Sequence, residues 1–89
     1  MKQALAITVK GRVQGVGFRF STVREAEMLG ITGFVENRMN GTVYIEAEGE
    51  PEALNKLVNW CWKGPGTASV DNVTTQEIPV QNFKRFGVK

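Results

Sequence analysis

Residues 31 to 48, I-T-G-F-V-E-N-R-M-N-G-T-V-Y-I-E-A-E, read as two strands folded back on each other. Gly30 precedes them and Arg38-Met39-Asn40-Gly41 divides them, so Ile31 to Asn37 enters a hairpin and Thr42 to Glu48 leaves it. On the return strand Val43, Ile45 and Ala47 share one face, while Thr42, Tyr44, Glu46 and Glu48 share the other. One apolar and one polar face is the alternation of an antiparallel sheet covered on a single side. The acids are therefore expected on an open, solvated face. With no Asp cluster beside them, Glu46, Glu48 and Glu50 do not suggest a divalent-ion site. Phe34 and Tyr44 share that face, but the neighbouring acids argue against a stacking platform for RNA.

Working outward, Leu5, Ile7 and Val9 alternate with smaller or polar residues and predict a first strand. Gly11, Gly15 and Gly17 follow, and a tight loop from about Gly11 to Phe18 is expected to end the pairing. A helix comes next. Thr22 and Glu25 have capping-box spacing, Phe20, Val23 and Ala26 recur at helical spacing, and Gly30 is a natural stop; the helix start lies there or a few residues earlier. Beyond the hairpin, Pro51 suits a first helical turn, and Leu54, Leu57, Val58 and Cys61 form an apolar stripe ended by Gly64-Pro65-Gly66. Val70 to Ile78 reads as an edge or near-edge strand, and Phe83 to Val88 as a short terminal one. The order βαββαβ with a small appendage predicts an α+β, ferredoxin-like α/β sandwich: an antiparallel sheet with two helices on one face.

Composition narrows the chemistry. Eighty-nine residues leave room for one domain, here residues 1 to 89, and no run approaches the ~20 apolar residues that span a bilayer. One cysteine, Cys61, cannot make an internal disulfide or a cysteine-built zinc site, and it falls on the apolar stripe. The absence of histidine removes Ser-His-Asp and Cys-His catalysis and the commonest metal ligand. Met1 to Val9 does not read as a signal or transit peptide, so a cytoplasmic location is expected. Net charge is +2 with the basic residues scattered, and nucleic acid is not an expected partner. Nothing requires an obligate assembly, so a monomer is expected. Trp60 and Trp62 read as packing or partly exposed aromatics.

The segment that carries chemistry is G-R-V-Q-G-V-G-F-R, Gly11 to Arg19, between the first strand and the first helix. There backbone N–H groups and the positive end of a helix can converge on an anion, and an arginine can offer paired donors. A glycine-rich loop of this kind also reads as a flexible turn with a surface arginine. It contains neither G-x-G-x-x-G nor G-x-x-x-x-G-K-[ST], so neither a dinucleotide nor an NTP site is indicated.

Val9 to Arg19, V-K-G-R-V-Q-G-V-G-F-R, resembles in full the signature of the acylphosphatase family. Gly33-Phe34-Val35-Glu36-Asn37, Gly41, Val43 and Gly49 resemble its second signature. The resemblance implies hydrolysis of the carboxyl–phosphate anhydride of a small acyl phosphate, without metal or cofactor and with inorganic phosphate or sulfate as site ligands. It implies that Arg19 binds the phosphoryl group, that the amides of Gln14, Gly15, Val16, Gly17 and Phe18 hold its oxygens, and that Asn37 orients the attacking water. Position 36 departs from the family pattern, which usually has a basic, amide or small apolar residue there. Strand alternation is expected to turn Glu36 to the face opposite Asn37.

Overall fold

A computed structural model describes all residues from Met1 to Lys89. In chain order the elements are β1 (Gln3–Arg12), α1 (Phe18–Met28), β2 (Thr32–Asn37), β3 (Val43–Gly49), α2 (Pro51–Lys63), β4 (Ser69–Ile78) and β5 (Phe86–Val88). The strands form one sheet in the order β4-β1-β3-β2-β5. Ile7, Val9, Val35, Val43, Ile45 and Ala47 point to the same side and pack with Ala26 of α1 and Leu54, Leu57 and Cys61 of α2. Both helices thus cover one face, as the alternation predicts. No helix is long and apolar enough to cross a membrane.

The sheet is not wholly antiparallel, because β5 runs parallel to β2. The cause is topological. Ile78, the last residue of β4, pairs with Ala4 at the end of the sheet where β2 also begins. A chain that crosses the sheet from that end must enter β5 in the same direction as β2. Residues 79–85 make this crossing, and they correct the expectation for the acidic face. Glu48 is buried, with 1% of its surface exposed, and its carboxylate accepts the main-chain N–H groups of Gln81, Asn82 and Phe83. Glu46 accepts the Tyr44 hydroxyl at 2.7 Å and the Gln81 amide at 3.3 Å. Glu46 and Glu48 anchor the returning chain, while Glu50 is exposed as expected and pairs with the N-terminal amine, and Phe83 packs edge-on against Phe34 at 5.8 Å.

Two expectations about the first βα unit also change. Pairing does not stop at Gly11: β1 continues against β4 through Arg12, with a bulge at Lys10/Gly11 that absorbs the register shift. The helix begins at Phe18, so Thr22 is no cap. Thr22 is fully buried, and its hydroxyl donates to the Phe18 carbonyl at 2.7 Å. The inward face carries Phe18, Thr22 and Ala26 at i, i+4 and i+8, which leaves Phe20 68% exposed instead of in the apolar stripe. Burying the large Phe18 ring sets the rotation of the helix.

In α2 the expected stripe is in place, and Cys61 is fully buried. Burial pushes its thiol up from 9.0 to about 12, with Glu25 adding a smaller push in the same direction. The fold therefore disfavours the thiolate more than the unfolded chain does. Its contribution is intact below the unfolded value near 9 and is lost as pH rises toward 12. Raising the pH from 8 to 11 should cost the native chain about 2 kcal/mol more than it costs Cys61→Ala, measured by urea unfolding at both pH values.

Candidate active site

The residues joining β1 to α1 take a conformation that glycine makes possible. Gly15 and Gly17 have φ of 75° and 80°, in the left-handed region, and Gly17 is the N-cap of α1. A Cβ at either position would meet no atom within 4 Å beyond its chain neighbours, so the dihedral rather than crowding selects glycine. From Gly15 to Phe20 no main-chain N–H donates a hydrogen bond within the protein, and the first bond of the helix runs from Ser21 N–H to Gly17 O at 3.1 Å. No acidic residue occupies the first turn of α1. Unfilled donors and the positive helix end together make this segment attractive to an anion.

Three contacts hold the loop in shape. Phe18 is buried against Trp60, with ring centroids 5.4 Å apart, and it also fills the space above Gly64, where a Cβ would come within 2.6 Å of its ring. Thr67 donates to the Val16 carbonyl at 2.7 Å. The Gln14 amide donates to the carbonyls of Arg38 at 2.7 Å and Thr42 at 3.0 Å, tying the loop to the β2–β3 hairpin.

The loop, the start of α1, the end of β2 and β5 enclose a cleft of about 270 Å³ lined by Val13, Gly15, Gly17, Phe18, Arg19, Phe20, Asn37 and Val88. Arg19 and Asn37, 18 residues apart in the chain, are thus brought together with the glycine loop. Gln14 and Val16, expected among the binding residues, do not line the cleft; the side chain of one and the carbonyl of the other serve as braces. Arg19 makes no ion pair or side-chain hydrogen bond within the protein, since the only ion pairs are Met1–Glu50 and Glu36–Arg38. The Asn37 Oδ1 is buried without a partner, and leaving such an atom unpaired costs about 1–3 kcal/mol. Unpaired polar groups of this kind are often retained for a functional contact.

Glu36 is turned away, as alternation predicts. It lies opposite Tyr44 on the other face of the sheet and pairs with Arg38 at 2.7 Å, while Arg38 stacks 3.8 Å above the Tyr44 ring. No three of the His, Cys, Asp and Glu side chains are grouped to hold a metal ion. Sequence reading missed Val13, Phe20 and Val88 as cleft residues. Val13 carries no assignment in the loop motif, Phe20 shows only helical spacing with Val23 and Ala26, and Val88 reaches the cleft only because β5 joins the far edge beside β2.

The acylphosphatase family model matches residues 5–88. The chain belongs to the acylphosphatase family. It is similar to the acylphosphatase of Nocardioides sp., with 44% identity over 89 residues that cover all of this chain and 90% of that one. It is also similar to that of Thermotoga maritima, 45% identical over 87 residues covering 98% and 97% of the two chains. Among solved structures, an acylphosphatase from Coxiella burnetii superposes with a TM-score of 0.96 at 41% identity, covering 99% of this chain and 93% of that one. Membership makes the chain a hydrolase of acyl phosphates, acting on an acid anhydride.

The Gln14 brace is open to test on its own. Gln14→Ala should cost about 1–2 kcal/mol in chemical unfolding, from two lost hydrogen bonds, and should weaken inorganic phosphate binding measured by calorimetry.

Proposed function

We propose that the main-chain N–H groups from Gln14 to Phe18, none of which donates to another main-chain group although the side chains of Gln14 and Val16 lie outside the cleft, act together with Arg19 to hold the phosphoryl group of an acyl phosphate while Asn37 orients a water for in-line attack on phosphorus. The observation that carries this reading is the convergence on one cleft of a guanidinium without a counter-ion, a row of unpaired N–H donors and an asparagine with an unsatisfied oxygen.

The chemistry fits these groups. The new bond forms between the water oxygen and phosphorus, and the bond from phosphorus to the acyl oxygen breaks. The carboxylate departs without needing a proton, and the protons of the attacking water end on the phosphate product. A good leaving group removes the need for a strong general acid, so positioning and charge stabilisation can lower the barrier without histidine. As the leaving group loosens, negative charge spreads over the equatorial oxygens. Fixed donors then gain strength relative to the ground state, and one such donor is worth about 3 kcal/mol. The Asn37 oxygen can accept a hydrogen bond from water without adding negative charge beside a dianion. Every group in this scheme comes from one chain, which supports a monomeric enzyme, and the lone buried thiol suits the cytoplasm.

Two substitutions divide the roles, assayed by release of phosphate from benzoyl phosphate in the presence of excess chelator. Arg19→Lys should lose at least about a hundredfold in kcat/KM, because an ammonium cannot serve two oxygens in the fixed geometry of the guanidinium. Near-normal turnover in that variant would remove Arg19 from the mechanism. Asn37→Ala should fold and bind inorganic phosphate with native affinity yet lose about a hundredfold or more in kcat. Parallel loss of phosphate binding would assign Asn37 a structural role instead.

A further inference from the structure

The cleft has a part that phosphoryl binding does not use. Val13 and Phe18 are each 1% exposed, but Phe20 and Val88 are 68% and 54% exposed. Singly exposed apolar side chains are ordinary. These two come from separate elements, the first turn of α1 and the last strand, and meet in the same small cleft as Arg19 and Asn37. Arg19 is the only charged side chain that lines it.

Resting on the phosphoryl placement proposed above, the geometry constrains the rest of the substrate. The acyl carbon is one oxygen away from phosphorus, so the acyl group must leave the cleft past its remaining walls. Once Arg19 is engaged by phosphate, those walls offer an acyl group apolar surface and no second cation. We propose that Phe20 and Val88 form an acyl subsite, which makes the enzyme selective for acyl phosphates with aromatic or bulky apolar acyl groups. An acetyl group is too short to cover both side chains, and an acyl group bearing its own anion would find no partner.

The test compares kcat/KM for benzoyl phosphate and acetyl phosphate in the native chain, Phe20→Ser and Val88→Ser. Both residues are exposed, so the variants should fold, which circular dichroism checks. The native chain should favour benzoyl phosphate, and each variant should lower the benzoyl-to-acetyl ratio by about tenfold, chiefly through KM for benzoyl phosphate. Inhibition by inorganic phosphate, which has no acyl group, should change by less than about twofold. A ratio unmoved in both variants would overturn the inference, as would an equal loss for both substrates and for phosphate. Failure of the native chain to hydrolyse either compound would overturn the functional reading itself, and the acyl subsite with it.

Discussion

The burial of Phe18 is the constraint on which the site depends. Its ring is among the largest fully buried side chains and lies between Trp60 of α2 and the bare backbone of Gly64. Successive residues of a helix turn by about 100°, so fixing Phe18 inward fixes the direction of Arg19 beside it. The same wedge holds the helix start against the core and keeps the preceding amides from relaxing into an ordinary turn. A core contact thereby sets the geometry of a surface cleft.

The proposed site is built from main-chain N–H groups, a guanidinium and a carboxamide, all of them hydrogen-bonding groups. Their contribution comes from being held in place, and the holding is distributed. Gln14 ties the loop to the hairpin, Thr67 ties it to the segment before β4, and Phe18 ties it to the helix layer. Charges that could interfere are neutralised elsewhere, with Glu36 on the opposite face against Arg38. The returning chain is fastened separately, on the buried Glu48.

The strands and the hairpin were legible because their signals are local. Period-two alternation around Asn40-Gly41 needs no knowledge of the rest of the chain. Arg19 and Asn37 were legible through motif resemblance, which carries three-dimensional information that spacing alone does not. Thr22 and Glu25 have the pattern of a cap, but α1 takes the earlier of the two starts that the sequence allows, and the burial of Phe18 places Thr22 inside the helix. Glu48 was misread. Alternation correctly turned it from the helices, but its partners lie 33 to 35 residues further on and arrive by a crossing that no local pattern announces. The direction of β5 and the place of Val88 follow from that same crossing.

The sheet order leaves β4 with one free edge, ten residues long from Ser69 to Ile78. A row of unpaired peptide groups of that length is a template for adding a strand from another copy of the chain. In a two-fold pairing centred on Thr74, residues 70 to 78 would overlap with themselves, and Asp71 of each copy would face Glu77 of the other. Two like-charged pairs would then oppose the union. The polar composition of this strand, which contributes little to the core, guards the sheet against edge-to-edge aggregation.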